Sequence, residues 1–158
     1  LNIVVHVSDA RVSARPEDVL VTYALGSCIG VTVYDPVARC GGMLHYQLPT
    51  STMDAQRAAE RPCMFADTGL QHLLAELAAA GAQKRRLEVK LAGGAEILDS
   101  QGVFSIGKRN HTAIRKLLWQ HGLLLKAEQV GGTEPRTLYL HLANGATVVK
   151  TSGQTLTL

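Results

Sequence analysis

Cys28 and His45 are the residues of this chain whose types and spacing could do covalent chemistry. A thiol is mostly protonated at neutral pH, because its ordinary pKa is about 8.5, and only the thiolate is a strong nucleophile. A histidine within hydrogen-bond reach takes that proton during attack and later returns it to a leaving group. Such a pair belongs to a hydrolase. Thr22, upstream, could supply the third group that orients the imidazole. For an arbitrary Cys and His the commoner reading is a small buried core residue and a satisfied strand histidine. Two neighbours favour the chemical reading: Gly26 permits close backbone approach or a positive φ beside the thiol, and polar Ser27 interrupts an apolar run.

The elements that must position these residues are short strands. Ile29, Val31 and Val33, with Thr32 and Tyr34 between them, form a β-branched run that reads as a strand opened by Cys28. Asp35-Pro36 breaks it, and Gly42 to Leu48 reads as a second strand stopped by Pro49. The simplest connection is an antiparallel hairpin. Centring its turn on Pro36 and Val37 sets Cys28 directly opposite His45, at a Cβ separation of roughly 4.5 to 5.5 Å. A slip of two positions leaves them diagonal neighbours, and a slip of one sends them to opposite faces. Val19 to Ala24 reads as the strand that carries Thr22. Paired beside the Cys28 strand, Thr22 would bond one imidazole nitrogen and fix the tautomer. Read alone, it is a routine β-branched strand residue.

These residues lie in an ordered series of motifs. The chain has Thr22, Leu25-Gly26-Ser27-Cys28, Tyr34-Asp35, Gly41-Gly42-Met43-Leu44-His45 and Leu48-Pro49. Further on come Phe65-Ala66-Asp67-Thr68, Lys90 to Ala95, Ile106-Gly107-Lys108-Arg109-Asn110, Val130-Gly131-Gly132 and Arg136. The series resembles the chemoreceptor glutamine deamidase family, CheD, over nearly the whole chain. Departures are Tyr23-Ala24, Gly69-Leu70 and Thr133-Glu134-Pro135, the last leaving the role of the loop before Arg136 open. The resemblance implies that Cys28, His45 and Thr22 are the catalytic residues. It implies hydrolysis of receptor glutamine side chains to glutamate, some hydrolysis of receptor methyl esters, and binding to the phosphatase CheC where the host has one. For Arg109-Asn110 it suggests a structural role at a helix start.

The remainder of the chain sets the class. At 158 residues, 46% hydrophobic and 18% charged, it suits one ordinary globular domain spanning 1–158, with no run long enough to cross a bilayer. Nothing resembles a signal peptide, so a cytoplasmic location is expected. The three cysteines, Cys28, Cys40 and Cys63, are odd in number and distantly spaced, which argues against a disulfide framework. Six scattered histidines and no CxxC give no metal-ligand spacing, so neither metal nor cofactor is expected. A net charge of +3 and 4% aromatic residues make nucleic-acid binding a poor fit, while an acidic protein partner is compatible.

Elsewhere, Ile3 to Val7 reads as a strand and residues 50 to 62 as a polar connection. Leu70, Leu73, Leu74, Leu77 and Ala78 mark a helix ended by Gly81, and a second helix runs from about 107 to 121 before Gly122. Leu87 to Ala92, Leu123 to Val130 and Leu138 to Leu142 read as strands. Asn144-Gly145 signals a type I′ hairpin into Ala146 to Lys150, and the tail from Ser152 reads as frayed. The expected fold is α+β, an α/β sandwich of mainly antiparallel strands layered against two principal helices. The expected function is deamidation of receptor glutamines through a Cys-His thioester. A non-catalytic adaptor that binds receptor or phosphatase, and a cysteine hydrolase acting on a small molecule, are the competing readings; a shallow groove around Cys28 would favour a protein substrate.

Overall fold

The computed structural model of the chain describes residues 1–96 and 105–158. Among the described residues, ten strands form two five-stranded sheets. The outer sheet contains β1 (Asn2–Val4), β3 (Val19–Leu25), β8 (Arg136–His141), β9 (Thr147–Lys150) and β10 (Thr155–Thr157), in that spatial order. The central sheet runs β2 (Asp9–Ser13), β5 (Cys40–Tyr46), β4 (Ile29–Asp35), β6 (Glu88–Gly93) and β7 (Leu124–Val130). Pairing is antiparallel except for β1 with β3 and β6 with β7. The helices α1 (Ala55–Glu60), α2 (Ala66–Ala79) and α3 (Ile106–Gln120) complete the α+β sandwich.

Strand periodicity explains the layering. Ile29, Val31, Val33, Leu44 and Tyr46 point from the central sheet toward Leu70, Leu73 and Leu77 of α2 and Ile114 and Leu118 of α3. The alternate face, carrying Tyr34, Met43 and Ala92, packs on Leu20, Leu25, Leu138 and Leu140 of the outer sheet. The central sheet is therefore covered on both sides, and every residue of β4 and β5 is buried.

Several expectations change in detail. The hairpin of β4 and β5 pairs Gly30 with His45 and Asp35 with Cys40, two positions away from a turn centred on Pro36 and Val37. Asp35 sets this register. Its Oδ1 accepts from the N–H groups of Val37 and Ala38, at 2.9 and 3.0 Å, and its carbonyl accepts from Arg39, whose φ is 57°. The loop is thus four residues long, Pro36 to Arg39. The second hairpin repeats the pattern. His141 pairs with Ala146, Gly145 donates to the His141 carbonyl, and only Gly145 of the loop takes a positive φ, so the connection is four residues rather than a type I′ turn.

β3 lies in the outer sheet, not beside β4, so Thr22 approaches the hairpin from another layer. The first strand ends at Val4, before a turn in which Ser8 has φ 61°, and β2 follows as an edge strand. Its charged Asp9 and Arg11 obscure the apolar alternation a strand would show. Residues 50 to 62 contain α1, capped by Asp54 Oδ1 on the Arg57 N–H. Only Ala58 of that helix is buried, so no periodic signal marks it. The tail from Ser152 pairs with β9 through β10, and the Leu158 carbonyl accepts from Lys90 Nζ at 2.9 Å.

Candidate active site

The site is built where β4 and β5 separate. Cys28 immediately precedes β4, and Gly30, Thr32 and Tyr34 continue its face toward the outer sheet. His45 projects from β5 onto that same face. Because Gly30 is its direct partner, Cys28 and His45 are diagonal neighbours, at roughly 7 to 8 Å between backbones and within reach of long side chains. Gly30 has no side chain for a steric reason: a Cβ there would stand 2.6 Å from Leu138 Cδ2 and 3.0 Å from Leu25 Cδ1.

Thr22 meets His45 across the layers. Its Oγ1 lies 2.7 Å from His45 Nδ1 and donates its own proton to the Val5 carbonyl at 2.6 Å. A hydroxyl has one proton to give, so toward the imidazole Thr22 can only accept. Nδ1 therefore carries the hydrogen and Nε2 the lone pair. His45 is 1% exposed, and its Nε2 has no hydrogen-bond partner among the described residues. Burial lowers its pKa to about 4, so the ring is neutral at physiological pH. Cys28 is half-buried and unpaired. Burial pushes its thiol up, while hydrogen bonding from its own backbone N–H draws it partly back. The resting pair is a thiol and a neutral imidazole. Cys40 and Cys63 are buried away from this arrangement, their thiols raised by burial as well.

The backbone around the thiol is held from three directions. The Gly26 carbonyl accepts from the Ala95 N–H at 2.9 Å, the Ser27 carbonyl from Asn110 Nδ2 at 2.9 Å, and the Cys28 carbonyl from the Gly94 N–H at 2.9 Å. Gly93 and Gly94 both have positive φ, and a Cβ on Gly93 would stand 2.3 Å from the Cys28 oxygen. Here the glycines serve close approach. Arg136, only 6% exposed, donates to the carbonyls of Gly93 and Gly131, at 3.1 and 2.6 Å, and bonds the side chain of Gln129. That gives the loop before Arg136 a structural purpose.

Asn110 was legible only as a helix-start residue. It is fully buried in α3, and its position beside Gly107, whose own Cβ would collide with the carbonyls of Gly94 and Ala95, depends on tertiary packing. An asparagine placed on the apolar stripe of an amphipathic helix, four residues before Ile114 and eight before Leu118, is the one local signal that could have marked it. Near it, Pro49, Thr50, Lys108, Arg109, Thr112 and Ala113 line a shallow depression of about 410 Å³. Among the described residues, no group of three or more His, Cys, Asp or Glu side chains is placed to hold a metal ion. Nor is any described helix long and apolar enough to cross a membrane.

Residues 47–151 match the family model described as CheD chemotactic sensory transduction. A protein of Solibacter usitatus, named "Probable chemoreceptor glutamine deamidase CheD", is 53% identical over 152 residues, covering 96% of this chain and 90% of its own. A relative from Syntrophus aciditrophicus, with the same name numbered 1, is 46% identical and covers 96% and 95%. One from Anaeromyxobacter dehalogenans, numbered 2, is 43% identical and covers 96% of each chain. These matches extend upstream of the family-model segment, over the strands that carry Thr22, Cys28 and His45. Full-length similarity at this level, over a fold whose two sheets converge on those strands, means that the chain belongs to the CheD family.

Proposed function

We propose that this chain is a protein-glutamine deamidase of chemotaxis receptors, with Cys28 as nucleophile, His45 as general base and acid, and Thr22 as the residue that orients His45. The observation that carries the reading is the Val5–Thr22–His45 chain of hydrogen bonds, which leaves the unprotonated Nε2 on the face shared with Cys28. The relatives' printed names supply the substrate class.

The steps follow from the protonation states. The Cys28 sulfur attacks the glutamine carboxamide carbon as its proton passes to His45 Nε2. The imidazolium then protonates the departing nitrogen, ammonia leaves, and a thioester joins Cys28 to the receptor side chain. Neutral His45 next takes a proton from water as that water attacks the thioester. Collapse releases glutamate, and the proton returns to the thiolate. Backbone N–H groups around Gly26 to Cys28 stabilise the tetrahedral oxyanions, an interaction worth about 3 to 4 kcal/mol per donor. On this reading the protein works in the cytoplasm, hydrolyses some receptor methyl esters, and binds the phosphatase CheC where the host has one.

The test is peptide mass spectrometry of a receptor cytoplasmic domain incubated with the wild-type chain or with Cys28→Ala. Deamidation adds about one dalton per site, and is expected only with the thiol present. An equal mass gain with Cys28→Ala would remove the thiol from the mechanism. A receptor that binds the wild type and stays unmodified would favour an adaptor instead.

A further inference from the structure

The Asn110 side chain sits in the fork where β4 and β5 part. In the register of this hairpin Cys28 faces Gln47, one step beyond the last ladder pair, Ile29 with Tyr46. From there β5 turns away, as the N–H groups of Gln47 and Leu48 both donate to the Met64 carbonyl. Asn110 Nδ2 fills the opening. One of its hydrogens goes to the Ser27 carbonyl at 2.9 Å and the other to the Gln47 carbonyl at 2.8 Å. Both partners are acceptors, so the amide orientation is fixed. The Asn110 carbonyl accepts from the Tyr46 hydroxyl at 2.6 Å, which ties the helix backbone to the strand that bears His45.

A trans peptide is planar, with its C=O and N–H directed oppositely, and none of the described peptide bonds is cis. Holding the Ser27 oxygen therefore turns the Cys28 N–H away from Asn110. That N–H belongs to the residue that carries the thiol. The flanking peptides are held in the same way by Ala95 and Gly94, but those bonds come from the backbone; Asn110 is the side chain that sets the middle one.

We propose that Asn110 is a positioning residue for the reaction at Cys28: by holding the Ser27 carbonyl it presents the Cys28 N–H as the donor to the oxyanion that forms when the thiol attacks the carboxamide. The inference rests on the deamidase reading. It separates two parts of the machinery. The Thr22–His45–Cys28 relay governs the thiol, whereas Asn110 governs stabilisation of the charge that appears on the substrate oxygen.

The full-length chain is compared with Asn110→Ala and with the isosteric Asn110→Asp, which keeps the shape and loses both donors. Deamidation of a receptor cytoplasmic domain is measured alongside alkylation of Cys28 by iodoacetamide, a displacement that forms no oxyanion. Both variants are expected to lose at least about 10-fold in kcat, with KM and the alkylation rate within about twofold of wild type. Unchanged kcat would overturn the proposal, as would alkylation that falls by the same factor as kcat. Should neither variant fold, the wild type carries the test. The Cys28 amide proton is followed by NMR while a peptide aldehyde, replacing the glutamine carboxamide, adds to the thiol. A downfield shift is expected, and an unmoved signal overturns the proposal. A wild type that alkylates normally and deamidates no receptor would instead defeat the deamidase reading.

Discussion

Thr22 shows how much a single hydroxyl can decide at the residue scale. Its proton is committed to the Val5 carbonyl, so its remaining capacity is that of an acceptor, and this selects one histidine tautomer. Replacing it with valine preserves shape but leaves the buried Nδ1–H of His45 without its partner. The ring is then free to carry its hydrogen on Nε2, where it cannot act as a base toward Cys28. Thr22→Val is expected to lower kcat for receptor deamidation by about 10- to 100-fold, and Thr22→Ser to retain most of it. Steady-state assays of the two variants check this. Activity kept in Thr22→Val and lost in Thr22→Ser would show that the methyl group, not the hydroxyl, matters.

Among the elements, the junction of β4 with β6 is where backbone geometry and site meet. Gly93 ends β6 at φ 111°, and its neighbour Gly94 donates to the Cys28 carbonyl. A methyl group at Gly93 would stand 2.3 Å from that oxygen, and the positive φ is unfavourable for any residue with a Cβ. Gly93→Ala must push the two strands apart at Cys28. A loss of about 2 to 3 kcal/mol in urea unfolding is expected, with deamidation lost out of proportion to stability. A variant as active and as stable as wild type would mean that the strand ends yield easily. The loops act on register in the same local fashion. Burial pushes the Asp35 carboxyl up, but the bonds it accepts from Arg86, Gln83, Ala38 and Val37 together outweigh that and hold its pKa at about 2. Its charge and hydrogen bonds choose the four-residue turn, and the turn chooses which residue faces His45.

For the whole molecule, the closing of one sheet on the other buries His45 and lowers its pKa. Unfolded, the imidazole titrates near its ordinary value of 6.5; folded, burial takes it to about 4. The unfolded chain therefore binds the proton more readily throughout that interval. This contribution to stability is intact above pH 6.5 and is lost as the pH falls toward 4. A loss of about 2 kcal/mol between pH 7.5 and pH 5 is expected from this residue alone. Urea denaturation across that range measures it, with His45→Gln as the reference in which this part of the slope disappears. A slope identical in the two proteins would assign the dependence to other groups.

The amino-acid sequence by itself made a shared face for Cys28 and His45, the proposed catalytic pair, the expectation from the simplest hairpin. A strand repeats every two residues, so Cys28 and His45 share a face in the expected register and equally in the observed one, which differs by two. The apolar stripe of α2 and the β-branched run of β4 were legible for the same reason: burial on one side leaves a period in the sequence. What lacked a period was hidden. β2 is a charged edge strand, α1 buries one alanine, and β10 is exposed along its length. Tertiary structure alone decided that Thr22 comes from a second sheet, since nothing in Val19 to Leu25 says which strand lies beside it. It alone decided that Asn110, more than 60 residues from both of its carbonyl partners, enters the fork beside Cys28. Contacts of that kind depend on where whole layers pack, and they leave no local pattern to read.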